Sequence, residues 1–236
     1  MSNIENAINK EKTYLNYRMV GEEPFHLIDA VGEFGFETLE EYFSAKLQYR
    51  IQNAVRNVTK CKQCEIVSEA MRILQQGLTG IWYSYSDEVC IFNGEYGNET
   101  YNAEYCSQNN IPIYSLGTTG GTIVHSPGDF SWGIALPIDA HASYEYFLNS
   151  ISNIIQKYTE KSVVVRGNDI LIDDKKVCGS TVYTTKNVFL FISYFSFSDK
   201  SELISKICGK RTMKSPGFID CMSREELESE VQRWLL

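Results

Sequence analysis

The sequence contains no run of about 18 apolar residues, so none of it reads as a membrane-spanning helix. It also lacks a basic excess. Lys and Arg number 22 against 30 Asp and Glu, a formal charge of −8. That balance argues against a nucleic-acid footprint, which needs a basic face. Internal repeats, low-complexity tracts and linker-like stretches are missing as well. The opening residues, MSNIENAINKEK, have neither an apolar signal core nor an Arg-rich amphipathic pattern, which points to the cytoplasm. The cysteine set is no disulfide framework. Its seven members (Cys61, Cys64, Cys90, Cys106, Cys178, Cys208 and Cys221) are odd in number, in a chain long enough to build a core unaided. They read as reduced thiols, most of them small buried hydrophobes. Cys61-Lys62-Gln63-Cys64 has zinc-ribbon spacing but no second pair and no nearby histidine pair. It therefore reads as a helix start carrying two thiols, and no metal site is expected.

What is present is ordinary for one catalytic unit with appendages: 236 residues, 43% hydrophobic and 22% charged. The first sixty residues read as helical and rather polar. Glu37 to Ala54 has an apolar stripe at Leu39, Tyr42, Phe43, Leu47 and Ile51. A second helix is expected from Glu65 to Gln76, stopping at Gly77. Ile81 to Phe92 then reads as two short strands with a turn at Ser86-Asp87. A helix is expected over Tyr101–Asn109 and strands over Ile111–Ser115 and Ser131–Leu136. An amphipathic helix follows over Tyr144–Tyr158. Val163–Val165, Asp169–Ile172, Lys176–Tyr183 and Val188–Phe195 form a run of strands. Helices at Asp199–Ile207 and Arg224–Leu236 close the chain, the latter with Ser223 and Glu226 as a capping box. Strands with interspersed helices, lacking a regular βαβ rhythm, predict an α+β fold: a mixed central β-sheet with flanking helices. The expected division is a helical N-terminal extension over residues 1–60 and a catalytic domain over 61–236.

Three segments carry residue types suited to chemistry. Gly117-Thr118-Thr119-Gly120-Gly121-Thr122-Ile123-Val124-His125-Ser126-Pro127-Gly128-Asp129 is glycine-rich ahead of a β-branched strand. Such backbone can approach a ligand closely and leave N–H groups for an anion. It can equally be a tight turn within a hairpin, with His125 a satisfied hydrogen-bonding residue. In the second segment, Asn168-Asp169 and Asp173-Asp174 bracket a short hydrophobic strand, and Lys176 opens the next, ahead of Gly179-Ser180. Lys176 either points into a pocket or belongs to a solvated hairpin, a role that suits Lys175 naturally. The third is Ile207-Cys208-Gly209-Lys210-Arg211, where nearby cations would lower a thiol's pKa. A cysteine so placed is otherwise an inert one.

Together and in this order, the segments resemble the catalytic domain of the lipoate–protein ligase and octanoyltransferase family, related to biotin protein ligases. The resemblance runs from about Cys64 to Ser223. Val89-Cys90-Ile91, Asn102-Ala103-Glu104-Tyr105-Cys106 and Asn110-Ile111-Pro112-Ile113 are similar to the family's first strand, helix and Asn-Ile-Pro-Val strand. Gly120-Gly121-Thr122-Ile123-Val124-His125 resembles its Gly-Gly-Gly-Ala-Val-x-His loop. Gly167-Asn168-Asp169-Ile170 with Lys176-Val177-Cys178-Gly179-Ser180 resembles its Asn-Asp-Leu … Lys-Ile-Ser-Gly-Ser hairpin.

The resemblance implies a biotin/lipoate ligase-like fold and an acyl-transfer site. Lipoate or octanoate would be activated with ATP and Mg²⁺, and the acyl group passed to a lysine of a lipoyl carrier domain or glycine-cleavage H protein. Lys176 matches the family's active-site lysine and would neutralise phosphate and carbonyl oxygens. Gly120, Gly121 and Thr122 would give clearance for acyl chain and adenylate, with His125 at the floor of the loop. Asn168 and Asp169 would orient the nucleotide and Mg²⁺. Gly179 and Ser180 complete the predicted binding set.

The sequence departs from the family in definite places. Two arginines expected before the glycine loop are replaced within Ser115-Leu116-Gly117-Thr118-Thr119. The third glycine is Thr122, the Asp after the histidine is Ser126, and the Gly-Arg after the first strand is Phe92-Asn93. Two alternatives therefore stay open beside the ligase reading. His125-Ser126-Pro127-Gly128-Asp129 is similar to the His-Gly-Pro-Gly-Gln of octanoyltransferases, which use a cysteine, no ATP, and acyl carrier protein as donor. Cys208 lies 32 positions beyond Lys176, near their nucleophile's spacing. The other alternative is a catalytically silent relative that binds an acyl ligand or a carrier. For the carrier, which is acidic in this family, Lys206, Lys210, Arg211 and Lys214 form the expected docking patch.

Overall fold

The computed structural model describes residues 2–19, 27–62, 65–94, 101–115, 121–208 and 215–236. Two sheets organise them. The larger has seven strands in the order β1-β2-β6-β10-β9-β8-β7: β1 Val58–Lys62, β2 Gly80–Tyr85, β6 Phe130–Pro137, β7 Val163–Arg166, β8 Asp169–Ile172, β9 Lys175–Thr184 and β10 Val188–Phe195. It is mixed: β1 runs parallel to β2, and the other neighbours are antiparallel. The smaller sheet is β4-β3-β5, with β3 Cys90–Asn93, β4 Ile113–Ser115 and β5 Thr122–His125. The predicted strands on either side of Ser86-Asp87 thus both exist but do not pair. β2 joins the large sheet and β3 the small one.

Alternation along the strands sorts side chains to two faces, because successive residues of a strand point to opposite sides. Phe189, Phe191 and Phe195 of β10, with Phe130, Trp132, Ile134 and Leu136 of β6, enter one core. Covering that face are helices α3 (Leu39–Val55), α6 (Tyr144–Gln156) and α8 (Arg224–Leu235). They bring Leu47 and Ile51, Phe147 and Ile151, and Leu227 and Val231. The opposite residues, Leu190 and Ile192 with Trp82 and Ala135, pack under helix α4 (Ile66–Gln76) and against Cys90 and Phe92 of the small sheet. Helices α5 (Ala103–Gln108) and α7 (Ser201–Cys208) close the outer side of the small sheet around Ile91, Val124, Cys106 and Ile207.

The helix ends follow local chemistry. Thr38 and Glu41 form a capping box at α3, and Ser223 with Glu226 forms the predicted one at α8. Helix α4 ends on Gly77 at φ +64°, a left-handed position that glycine takes without strain.

The first sixty residues are not wholly helical. Helices α1 (Asn3–Met19) and α2 (Leu27–Gly32) stack on α3, but Val58–Lys62 is an edge strand. Cys61 consequently lies in a strand and not at a helix start, while Cys64 falls outside the described residues. The strand Val-Thr-Lys-Cys-Lys is mostly exposed and polar, so it carries no buried alternation to betray it. Helix α3 is held from both sides. Leu47, Ile51 and Ala54 enter the main core, whereas Lys46 is buried with Glu11 of α1, which also accepts from Tyr42 at 3.0 Å. Arg50 adds a 2.7 Å bond to Asp139, in the turn after β6. No helix among the described residues is long and apolar enough to cross a membrane.

Candidate active site

The two sheets leave between them a small, partly open cleft. Phe92, Ile123 and His125 line it from the small sheet, and Ile66 from α4. Ser131, Gly179, Ser180, Thr181, Ile192 and Tyr194 line it from the large sheet. The register explains this set: β9 and β10 pair Gly179 with Tyr194 and Thr181 with Ile192, so these four share one face. Most of the wall is apolar, which suits a hydrocarbon chain.

Lys176 stands beside Gly179 of this cleft. Its backbone is pinned on both sides, its N–H donating to Ser215 O at 2.9 Å and its carbonyl accepting from Gly217 N at 2.8 Å. Its ammonium lies 2.8 Å from Asp169 Oδ1. It passes directly over Gly179, where an added Cβ would meet Lys176 Cε and Nζ at 3.0 Å. The glycine that lines the cleft therefore also makes room for the lysine. The Lys176 side chain keeps 36% of its exposure against 6% for Asp169. The cation is thus held by its carboxylate yet open to another partner.

Asn168 and Ser180 fasten the hairpin behind this pair. Asn168 Nδ2 donates to Ser180 O at 2.6 Å, and the Ser180 hydroxyl donates to Asn168 O at 2.7 Å. They are structural ties across β9 and the turn before β8, where Gly167 sits at φ +61°. Asp173 and Asp174, both at positive φ, form the next two-residue hairpin turn, a conformation that Asp tolerates better than most residues.

His125 ends β5 with its side chain buried. Its ring stands edge-on to Phe92 at 4.8 Å between centroids and tilts against Tyr194 at 4.0 Å. Its Nδ1 is buried without a hydrogen-bond partner among the described residues. Burial, reinforced by the charge of Lys200, holds its pKa well below the usual histidine range, so the imidazole is neutral near pH 7. Behind it, Asp129 is fully buried at the end of the Ser126–Asp129 turn, which Gly128 permits at φ +91°. Asp129 Oδ2 accepts from Ser126 N at 2.6 Å and from Lys200 Nζ at 2.6 Å.

The predicted residues do not all converge. Gly179, Ser180 and His125 line the cleft, and the Lys176–Asp169 pair adjoins it at Gly179. Gly121 and Thr122 tie β5 to β3: Gly94 N donates to Gly121 O at 3.1 Å, and the Thr122 hydroxyl to Asn93 Oδ1 at 3.1 Å. Gly120, and the Leu116–Thr119 stretch where the family has arginines, lie outside the described residues, as do Lys210, Arg211 and Lys214 of the expected docking patch. Cys208 sits elsewhere, in the cluster of Cys106, Ile207, Ile91 and Val124. Burial, with Cys106 beside it, pushes its thiol up to about 11. No group of three or more potential metal ligands occurs among the described residues. Sequence reasoning missed Lys200, Tyr194 and the apolar lining. Asp129 was visible as the last residue of the His-Ser-Pro-Gly-Asp segment, but its partner lies 71 positions away.

Residues 70–224 match the family model described as the lipoyl protein ligase A/B catalytic domain. The chain belongs to the lipoyl protein ligase A/B catalytic-domain family. Solved structures agree in fold. A bi-partite lipoate protein ligase from Thermoplasma acidophilum, studied with its E2 lipoyl domain, aligns with TM-score 0.62 at 14% identity, over 75% of this chain and 80% of that one. A lipoate-protein ligase A bound with ATP gives 0.62 at 14% identity, over 75% and 81%. LipL1 of P. falciparum in complex with lipoate gives 0.62 at 15% identity, over 73% of this chain and 57% of that one. No curated protein sequence matches the chain.

Proposed function

We propose that the protein is a lipoate–protein ligase-like enzyme that activates lipoate or octanoate with ATP and passes the acyl group to a carrier-domain lysine. The observation that carries this reading is the Lys176 ammonium. It lies over Gly179, one of the residues lining a largely apolar cleft, in a chain of the lipoyl ligase catalytic family. The apolar wall of Ile66, Phe92, Ile123 and Ile192 takes the acyl chain, and the carboxylate end comes to rest beside Lys176. In the first step a carboxylate oxygen attacks the α-phosphorus of ATP and pyrophosphate leaves. In the second, the carrier lysine's amine attacks the acyl carbonyl, loses its proton, and AMP leaves. Both steps build negative charge on oxygens, which a preorganised ammonium stabilises. Asp169 would be the carboxylate that orients the nucleotide and the Mg²⁺ arriving with it. The relatives solved with lipoate and with ATP, and the one studied with its E2 lipoyl domain, support lipoate, ATP and a lipoyl-domain partner.

The placement of Cys208 speaks against the thiol route, since a thiol raised to about 11 is protonated at neutral pH and a thiolate is what attacks. The test is to incubate the protein with lipoate or octanoate, ATP-Mg²⁺ and a lipoyl domain, and to read the carrier's mass. An acyl mass shift with pyrophosphate release is expected. Transfer from octanoyl-acyl carrier protein without ATP would instead establish the transferase, and absence of both would overturn acyl transfer.

A further inference from the structure

Lys200 follows β10 outside any strand or helix, yet its side chain keeps only 5% of its exposure. Burying an ammonium is costly unless every one of its protons finds an acceptor. Here all three do. Nζ donates to Asp129 Oδ2 at 2.6 Å, to Val124 O at 3.1 Å and, in a short bond, to the Tyr194 hydroxyl. Tyr194 in turn has Asp129 Oδ2 at 2.8 Å and Val124 O at 2.9 Å as acceptors for its single proton. These acceptors are not scattered. Val124 O belongs to the peptide that leads into His125, and the Tyr194 ring is the one packed at 4.0 Å on the His125 ring. Both His125 and Tyr194 line the cleft. One cation therefore fixes the backbone on one side of His125 and the aromatic wall on the other. The Nδ1 of His125 has no hydrogen bond among the described residues to do that work.

We infer that Lys200 is a positioning residue that, paired with Asp129, sets the Tyr194 and His125 wall of the acyl cleft. The inference builds on the acyl-transfer reading, because the wall it sets is the one assigned to the acyl chain. A purely structural ion pair predicts something different. Replacing both buried charges by uncharged residues of similar size is often neutral or stabilising, whereas removing one partner strands the other. The informative variant is thus the double substitution Lys200→Met with Asp129→Asn, alongside Lys200→Met and Tyr194→Phe. Two readouts follow on the full-length protein. The first needs no ligand: the ring-proton NMR signals of His125, shifted by the Phe92 and Tyr194 rings. The second is lipoate and octanoate affinity by calorimetry, with KM and kcat of carrier acylation.

The double variant is expected to fold but melt somewhat below wild type, because an asparagine in place of Asp129 keeps only one of the two oxygens that accept from the Ser126 and Phe197 N–H groups. It should lose the His125 ring shifts, weaken acyl binding about tenfold and raise KM with little change in kcat. Tyr194→Phe keeps the ring but not its anchor and should move the His125 signals the same way. A folded double variant with unchanged His125 signals and unchanged acyl affinity overturns the inference. If the wild type binds neither acid, the acyl-transfer reading fails, and the His125 signals alone decide whether Lys200 positions the wall.

Discussion

Gly179→Ala separates the site's geometry from the fold's stability. An alanine Cβ there would lie 3.0 Å from Lys176 Cε and Nζ and 3.5 Å from Asp169 Oδ1. Carbon contacts settle at about 3.5–4.0 Å, so the lysine tip must retreat by about 0.5–1 Å. It can, because it is the free end of a long, half-exposed side chain. The backbone raises no objection, since Gly179 is not among the residues at positive φ and alanine is the better strand residue by about 0.5–1 kcal/mol. Net stability should change by less than about 1 kcal/mol, a melting shift of under ~4 °C in a chain of this size. The retreat would, however, move the ammonium off its place over Gly179 and disturb its 2.8 Å ion pair with Asp169. A misplacement of about 1 Å at reacting groups costs on the order of 10²-fold in rate. Carrier acylation followed by mass, beside a thermal melt, reads both quantities. A variant that acylates within about twofold of wild type refutes the steric argument. So does one that melts ~10 °C lower, because the clash would then lie in rigid structure rather than in a mobile lysine.

Other substitutions probe neighbouring parts. Lys176→Met should cut pyrophosphate release by about 10²–10³-fold at an unchanged melting temperature; a loss below about tenfold would remove Lys176 from the chemistry. Cys208→Ser should transfer acyl groups within about twofold of wild type, and a far larger loss would restore the thiol route. Gly133→Ala would put a Cβ 2.2 Å from Trp82 Cζ2, inside a fully buried indole that cannot move aside. It should cost about 1–3 kcal/mol in urea melts, and a neutral result would mean the α4 face repacks freely. His125 has its folded pKa depressed, so the unfolded chain binds its proton first as pH falls. Stability from this group is complete above the unfolded value near 6.5 and is lost below it, by up to about 1.4 kcal/mol per pH unit. His125→Gln should therefore flatten the acid side of the stability profile in urea titrations between pH 7.5 and 5, and a parallel profile would contradict the buried, neutral imidazole.

The strands of the large sheet were readable because they alternate, or run apolar, over four to eight residues with Gly, Asn and Asp turns between them. Val188–Phe195 and the hairpin around Asp173-Asp174 are of this kind. Strand β1 was not readable, since an exposed edge strand has no inner face to mark it. The division into two sheets was not readable either. Ser86-Asp87 looks like a hairpin turn, and only the long-range pairing of β2 with β6 and of β3 with β5 separates its two arms. For the site, motif order pointed to Lys176, Asp169, Gly179 and His125, of which Gly179 and His125 line the cleft and the other two adjoin Gly179. The side chains of Asn168 and Ser180, to which it gave a ligand role, bind each other's backbone. Lys200 escaped because nothing local marks it: a lysine in Ser-Asp-Lys-Ser reads as solvated, and its acceptors come from β5, β10 and the Asp129 turn.

The site thus holds two Lys–Asp pairs whose exposures assign them different work. Lys200–Asp129 keeps 5% and 0% of its side-chain exposure, and every Lys200 proton is spent on protein acceptors. Pulling that ammonium toward a ligand would strand a buried carboxylate, at a cost of several kcal/mol. It is fixed, and its only output is the shape of what it holds. Lys176–Asp169 keeps 36% and 6%. The ammonium is open to solvent while Asp169 is buried, so the lysine can take a phosphate or carbonyl oxygen as a further partner only while it stays on its carboxylate. Catalysis needs interactions that strengthen as charge develops, and only the second pair has an ammonium open to a further oxygen in that way. The same ion pair drawn twice on paper is therefore a scaffold in one place and, on the proposed acyl-transfer reading, a reagent in the other, and the burial of the ammonium decides which.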